Sequence, residues 1–164
     1  MTLSFPSGRS ELNQLADSVL IIPGVGRSGK TLIGNLLGSC KQVEHLDEPW
    51  LPTVLPILAG QGAMAEKLAM EMFQASVVEL CYARLLMRHV NFRPADSSSV
   101  WKQKAPEEIF NKLINLYSRQ DVRRYADENH PTFVLTLTDT LPYYDFFQQT
   151  IPGCQVIHVI REGL

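Results

Sequence analysis

A glycine-rich segment near the start of the chain constrains the possible fold more than any other feature. The pattern Gly-x-x-x-x-Gly-Lys-Thr is matched in full by residues 24–31, Gly24-Val25-Gly26-Arg27-Ser28-Gly29-Lys30-Thr31. The nearly all-apolar run 18–22 before it indicates a buried strand, and residues 31–39 after it indicate a helix. A strand, a glycine loop and a helix in this order predict a P-loop α/β protein.

The residue types of this segment suit an anion. Glycines allow successive backbone N–H groups to curl inward, and the start of the following helix adds its positive dipole end. Lys30 and Arg27 add full positive charges, and Ser28 and Thr31 add hydroxyl groups. The sequence therefore predicts that the segment binds a nucleotide phosphate or a phosphosulfate.

Apolar runs and helical periodicity alternate through the rest of the chain. The segments predicted to be strands are 43–46, 100–104, 133–137 and 156–160. Helices are predicted at 63–90, from Pro106 onward and at 141–150, and a loop is predicted at 52–62. In the helix after the glycine segment, the predicted inward face is Leu32, Ile33, Leu36 and Leu37. This alternation predicts a three-layer α/β/α domain with a central parallel sheet.

The length fits one domain, residues 1–164, and its last predicted strand is followed directly by the end of the chain. A strand of a doubly wound sheet is usually followed by a covering helix. We therefore expect the domain to be incomplete and the protein to continue beyond Leu164.

Composition excludes several classes of protein. Fifteen basic and seventeen acidic residues give a net charge of −2, which argues against a general affinity for nucleic acids. The first apolar run is too short for a signal sequence or a membrane span. Cys40, Cys81 and Cys154 are odd in number and far apart, so we expect buried thiols in a reducing compartment and a cytoplasmic protein.

Four segments of the chain resemble the sulfotransferase superfamily, whose sulfuryl donor is 3′-phosphoadenosine 5′-phosphosulfate (PAPS). Residues 21–32 resemble its 5′-phosphosulfate loop, and Leu46-Asp47-Glu48-Pro49-Trp50 resembles the Glu-Pro segment after its first helix. Lys104-Ala105-Pro106 is similar to its Lys-x-Pro element, and residues 153–161 resemble the strand that leads to its 3′-phosphate site. In two respects the chain departs from the family. Lys30 replaces a usual threonine, and the serine expected after Arg161 would lie beyond Leu164.

The resemblance implies a co-substrate, an acceptor and a set of binding residues. PAPS would donate a sulfuryl group to a hydroxyl of a carbohydrate, a protein tyrosine or a small molecule. Since a sulfuryl group carries less negative charge than a phosphoryl group, no metal is expected. Arg161 would bind the 3′-phosphate. The residues implied for the 5′-phosphosulfate are Gly26, Arg27, Ser28, Gly29, Lys30, Thr31 and Leu32.

Two catalytic residues are predicted. Glu48 follows a predicted strand, where it would lie beside the glycine loop, and the matching residue of the tyrosylprotein branch is a general base. Asp47 is an alternative base, and Glu48 can also be interpreted as a surface or helix-capping acid. Lys104 is predicted to stabilise the departing bridging oxygen, although a solvent-exposed lysine is an equal alternative.

Two other functions remain open on the sequence. A P-loop kinase or NTPase would use ATP and Mg²⁺, with Lys30 and Thr31 in their usual roles and Asp139 holding the metal. A degenerate domain would bind nucleotide weakly or serve as a scaffold. The sequence predicts neither the acceptor nor the oligomeric state.

Overall fold

A computed structural model describes residues 8–16 and 18–160, and at its centre lies a four-stranded, all-parallel sheet. The strands are β1 Ser18–Gly24, β2 Val43–Asp47, β3 Thr132–Thr138 and β4 Gln155–Val156, in the order β2-β3-β1-β4. The helices are α1 Gly8–Leu15, α2 Lys30–Gly38, α3 Trp50–Gly60, α4 Glu66–Leu85, α5 Pro106–Asn115, α6 Arg119–Asn129 and α7 Tyr144–Thr150. Two short 3₁₀ helices span Val100–Lys102 and Leu141–Tyr143. The predicted α/β class, with a parallel sheet flanked by helices, is confirmed.

Helices contact the sheet on both of its faces. Successive side chains of a strand point to opposite faces, and β2 provides one contact on each side. His45 packs against Gly34 of α2, whereas Glu44 accepts a hydrogen bond of 2.8 Å from Arg84 of α4. Among the described residues, no helix has both the length and the apolar character needed to cross a membrane.

The inward face of α2 differs from the prediction. Its buried residues are Lys30, Gly34 and Gly38, which follow each other at intervals of four. Leu32 and Leu36, predicted to face the core, are 63% and 58% exposed. A Cβ atom at Gly34 would lie 2.2 Å from the His45 ring, so only glycine permits this approach of the helix to the sheet. The prediction is wrong because hydrophobicity does not decide which residues face the sheet here. The narrow space between α2 and the His45 ring decides it.

The segment predicted as a loop at 52–62 is mostly helix α3. Pro52 is its third residue, where a backbone N–H would have no acceptor within the helix, so proline costs little there. Pro56 does lie inside the helix, and it is buried together with Leu55. Packing of these residues stabilises a helix that the proline content alone argues against.

Two further predicted strands and one predicted helix are shorter or different in the structure. Residues 100–102 form a 3₁₀ helix. The predicted strand 156–160 is shorter in the structure, where β4 comprises Gln155–Val156 and the following Ile157 N–H donates a further bond of 2.9 Å to the Ile21 carbonyl. Helix α4 ends at Leu85 because Met87 and His89 adopt positive φ angles of 56° and 54°. Of the three thiols predicted to be buried, that of Cys40 is exposed.

The strand order creates a crevice at the carboxyl ends of β1 and β3. From β1 the chain crosses past β3 to β2, and from β3 it crosses past β1 to β4, so the two connections run in opposite directions across the sheet. Right-handed connections that run in opposite directions cover opposite faces of the sheet, so the loops after β1 and β3 separate, and ligands of open α/β sheets bind at such points. Residues 25–29 follow β1 and Asp139 follows β3, so both segments border this crevice.

The close approach of α2 to the sheet leads to a stability prediction. We expect Gly34→Ala to lower the free energy of unfolding by about 1–3 kcal/mol, because the new methyl group meets the buried ring of His45. Gly26→Ala is the matched control, since nothing lies within 4 Å of its added Cβ. Urea unfolding measures both, and equal stability of the two variants would contradict the described contact.

Candidate functional site

The glycine loop, residues 24–31, curls tightly between β1 and α2. Arg27 and Gly29 adopt positive φ angles of 59° and 94°, which reverse the course of the backbone. Ser28 N–H donates a long bond of 3.4 Å to the Val25 carbonyl. Within the described part of the chain, the N–H groups of Gly26, Arg27 and Gly29 have no acceptor. These donors and the first turn of α2 form a surface that suits an anion.

A buried hydroxyl group lies within the loop. Ser28 Oγ is shielded from solvent and has no hydrogen-bond partner among the described residues. A Cβ atom at Gly24 would approach it to 3.1 Å, so a larger residue there would crowd the hydroxyl. Buried polar groups are usually paired, and an oxygen of a bound anion would satisfy this one.

The lysine of the loop is paired with the predicted base. Lys30 is 2% exposed, and its Nζ donates a hydrogen bond of 2.7 Å to Glu48 Oε1. The same oxygen accepts a 2.7 Å bond from the Thr138 hydroxyl. The hydrogen bond from Lys30, then that from Thr138, lower the pKa of Glu48 against a smaller opposing effect of burial. Glu48 is therefore a carboxylate at neutral pH, and it lies directly at the loop.

Asp47, the alternative base, has the opposite pKa shift. Burial raises the pKa of Asp47, and the charge of Glu48 raises it further, while the hydroxyl of Thr136 partly offsets both. Thr136 Oγ1 donates to Asp47 Oδ1 at 3.0 Å and also accepts from the Glu48 N–H at 3.2 Å. Two adjacent carboxyl groups with pKa values moved apart are typical of sites that handle protons. Of the two, Glu48 is the one that contacts Lys30.

Asp139, the acid predicted to hold a metal in a kinase, also lies beside the loop. Its N–H donates a 2.7 Å bond to the Gly24 carbonyl, and its φ of 56° turns the chain away from β3. Its side chain is exposed. Among residues 8–16 and 18–160, no group of three or more His, Cys, Asp or Glu residues could hold a metal ion.

The structure does not bring Lys104 to the loop. Lys104 is 6% exposed, and its Nζ lies 3.2 Å from Glu108 and 3.7 Å from Glu44, with a 3.3 Å bond to the Cys40 carbonyl. Glu44 precedes Glu48 by four residues, about 13 Å along a strand. Lys104 thus lies at the far end of β2, in a buried ion-pair network, and the expected contact with a departing oxygen has no geometric support.

The other predicted residues divide into two groups. The structure brings together Gly26, Arg27, Ser28, Gly29, Lys30, Thr31 and Glu48. Arg27 is exposed and makes no ion pair with any described residue, so its charge is available to a ligand. Leu32 lies in the first turn of α2 with its side chain in solvent. Arg161 lies outside the described residues.

Two threonines of the site were missed by the sequence reasoning. Thr136 and Thr138 alternate at the carboxyl end of β3 and donate hydrogen bonds to Asp47 and Glu48 respectively. A signal was present, because polar residues at the end of an apolar strand next to β1 belong to the crevice edge of the sheet. Their partners, however, depend on the alignment of β2 with β3, which the sequence does not give.

The contact between Lys30 and Glu48 leads to a binding prediction. A carboxylate beside the loop repels an incoming anion and occupies the lysine. We therefore expect Glu48→Gln to bind pyrophosphate about five- to tenfold more tightly in calorimetry, which corresponds to about 1–1.4 kcal/mol. Glu107→Gln, on the exposed first turn of α5, is the control and should leave the affinity unchanged. Weaker binding by Glu48→Gln would show that the carboxylate does not compete with the anion.

Comparisons of this chain with protein-family models, with curated proteins and with solved structures find no match. The resemblance to the sulfotransferases in short segments stays a prediction.

Proposed function

We propose that the chain binds PAPS at the glycine loop and transfers its sulfuryl group to an acceptor hydroxyl. The observation that carries this proposal is the 2.7 Å contact between Lys30 of the loop and Glu48. It places a carboxylate, the group that can take a proton from a hydroxyl, next to the surface that suits an anion. The sequence resemblance in residues 21–32 and 46–50 supports the same conclusion.

In this proposal the loop residues position the donor and stabilise its charge. The N–H groups of Gly26, Arg27 and Gly29 bind oxygens of the 5′-phosphosulfate, and Ser28 Oγ gains the partner that it lacks. Lys30 approaches the bridging oxygen between sulfur and phosphorus, the role first expected of Lys104. Fixed donors that need no reorganisation are the main source of catalysis in this type of transfer.

The transfer step is an in-line displacement. The acceptor oxygen forms a bond to sulfur while the bond between sulfur and the bridging oxygen breaks. The electron pair of that bond stays on the phosphate oxygen, and 3′-phosphoadenosine 5′-phosphate leaves. The hydroxyl proton passes to Glu48, whose pKa is low in the free protein because Lys30 and Thr138 bond to it. When the donor draws Lys30 away, the pKa of Glu48 rises and the carboxylate becomes a stronger base.

A second candidate is phosphoryl transfer from ATP with Mg²⁺. The observation in its favour is that Asp47 ends β2 and Asp139 follows β3, so two acids lie at the same edge of the sheet as Thr31. A hydroxyl at the start of α2 and an acid on a neighbouring strand are the groups that hold Mg²⁺ in P-loop nucleotidases. Asp139, bonded to Gly24 through its N–H, is the other available acid.

Nucleotide binding separates the two candidates. We expect 3′-phosphoadenosine 5′-phosphate to bind in calorimetry with a Kd that EDTA does not change, because fixed positive charges neutralise its phosphates. ATP should bind less tightly, with or without Mg²⁺. Binding of ATP that requires Mg²⁺ and collapses with EDTA, without binding of the 3′-phosphorylated nucleotide, would select the kinase instead. If neither nucleotide binds, both enzymatic functions are wrong.

The role of Glu48 is tested by turnover. Release of 3′-phosphoadenosine 5′-phosphate from PAPS is measured with 4-nitrophenol, a tyrosine-containing peptide and an oligosaccharide as acceptors. At saturating donor, Glu48→Gln should slow the release about a hundredfold, because an amide cannot take the proton, although the donor should bind at least as tightly as to the unaltered chain. Glu107→Gln again serves as control. A Glu48→Gln enzyme with nearly full activity would remove Glu48 from the role of base.

A further inference from the structure

Behind the two acids of the crevice, buried side chains form a continuous series of hydrogen bonds. The series begins at Arg84 of α4 and ends at Asp47 of β2. Its bonds measure 2.8 Å between Arg84 and Gln103, 3.3 Å between Gln103 and His45, 3.2 Å between His45 and Thr136, and 3.0 Å between Thr136 and Asp47. Every member before Asp47 is buried, so water has little access to these groups. The direction in which each bond is donated is therefore set by the neighbouring side chains.

Gln103 fixes the direction of the whole series. A guanidinium group can only donate, so the atom of Gln103 that Arg84 contacts is the carbonyl oxygen Oε1. The amide nitrogen Nε2 of Gln103 then faces Asn35 Oδ1 at 2.9 Å and His45 Nδ1 at 3.3 Å. Asn35 presents its oxygen here because its own nitrogen donates to the Ser97 carbonyl at 2.6 Å. Since an amide nitrogen only donates, His45 Nδ1 accepts and carries no proton.

The proton of the His45 ring is consequently on Nε2. The ring is neutral, because burial and, to a smaller extent, a neighbouring positive charge lower its pKa to about 3. His45 Nε2 then donates to Thr136 Oγ1 at 3.2 Å, and the Glu48 N–H donates to the same oxygen at 3.2 Å. A hydroxyl group has two lone pairs and one proton, so the Thr136 proton is left for Asp47 Oδ1. The amide of Gln103 thus decides, through two other side chains, that Asp47 receives a hydrogen bond.

The same hydroxyl group holds the backbone of the neighbouring acid. Glu48 has a positive φ of 44°, which residues with a side chain rarely adopt. Its N–H donates both to the hydroxyl and to the carbonyl of Thr136, each at 3.2 Å. A backbone conformation of this kind persists only where its surroundings hold it, and such residues are frequent at functional sites. Thr136 therefore engages both acids, one through its proton and one through a lone pair.

We propose that Gln103 is a positioning residue, which keeps Asp47 engaged with Thr136 and thereby leaves Glu48 to pair with Lys30 and to act as the base. Among the described acids, Lys30 pairs with Glu48 alone, although Asp47 is next to it in the sequence. An oxygen that already has a fixed hydroxyl donor competes less well for the lysine. The choice of base rests on the proposed function, whereas the directions of the hydrogen bonds do not.

The ring nitrogens of His45 test the first link by ¹⁵N NMR of the whole chain at pH 8. In the unaltered chain, the form with its proton on Nε2 should predominate about tenfold, because a donor faces Nδ1. Gln103→Glu keeps the size of the side chain but presents an acceptor. Because the pKa of His45 starts at about 3, one added carboxylate leaves the ring neutral at pH 8, so the proton should move to Nδ1. Gln61→Glu, at an exposed position after α3, adds the same charge and should leave the ring unchanged.

The carboxyl carbon of Asp47 tests the second link by ¹³C NMR under the same conditions. Its signal should shift in Gln103→Glu, where the Thr136 hydroxyl turns to the free Nε2, and in Thr136→Val, which has no hydroxyl. Thr136→Ser keeps the hydroxyl and should restore the signal. In Thr136→Val the His45 proton should stay on Nε2, because Gln103 still donates to Nδ1.

Three spectroscopic results would each overturn the inference. They are a proton on Nδ1 of His45 in the unaltered chain, an unchanged ring in Gln103→Glu, and an Asp47 signal that does not respond to Gln103→Glu. The first needs no variant, so the inference can be tested even if Gln103→Glu does not fold.

The choice of base is tested by turnover of PAPS. Gln103→Glu should lower kcat about fivefold, because a released Asp47 competes for Lys30, and should leave KM for PAPS nearly unchanged, because the N–H groups of the loop are intact. Gln61→Glu should keep full activity. Full turnover by Gln103→Glu with its ring proton on Nδ1 would remove Gln103 from this role. If the unaltered chain does not turn over PAPS, the proposed function fails, whereas the NMR signals still decide the directions of the bonds.

Discussion

The contact between α2 and β2 is the constraint on which the rest of the site depends. Gly34 lets the helix approach the His45 ring, and the same face of α2 carries Lys30 at its first turn. The distance from Gly34 back to Lys30 is one helical turn, so the depth at which Gly34 packs also sets the depth of the lysine. His45 is held from the other side by Thr136 and Gln103, and burial lowers its pKa to about 3, so the ring is neutral where it meets the helix. The position of the glycine loop thus follows from a packing contact one turn away.

The far end of β2 is fixed by charge. Glu44 is nearly fully buried, and burial by itself raises the pKa of its carboxyl group, yet Lys112, Arg84 and Lys104 together lower the pKa below its ordinary value. Removing one member of such a network leaves a buried charge without compensation, which costs several kcal/mol. The network therefore anchors the start of β2, while the contact with α2 anchors its middle. Together they leave the carboxyl end, with Asp47 and Glu48, in a defined place beside the loop. Lys104 belongs to this network through its contacts with Glu44 and Glu108.

The sequence predicts the local features of this arrangement and misses those that depend on packing. The glycine loop, the strand before it and the position of Glu48 after a strand can be predicted from residue types and spacing, because each depends on residues nearby in the chain. The predicted inward face of α2 is wrong because the space above His45 admits only glycine. That space depends on how α2 packs on β2, and the residue types of Leu32 and Leu36 do not indicate it. Helix α3 is not predicted because its prolines argue against a helix. Proline costs little in the first turn of a helix, but the sequence does not show where that first turn begins. The sequence does not indicate the position of Lys104, because its buried partner Glu44 lies sixty positions earlier in the chain and only the fold brings the two together.

The charges at the crevice indicate what a bound anion would change there. A buried lysine needs a partner, and in the free protein Lys30 has one in Glu48. We expect a bound anion to compete for the same lysine, so that Glu48 would keep only its bond from Thr138. The carboxylate would then lose the interaction that chiefly lowers its pKa and become a stronger base. This coupling would require only that the ligand be an anion and that Glu48 stay within reach, so it is compatible with a sulfated and with a phosphorylated nucleotide. Under the proposed function, the groups that bind the nucleoside and the 3′ side would therefore distinguish the two donors, because the loop and Glu48 would serve both.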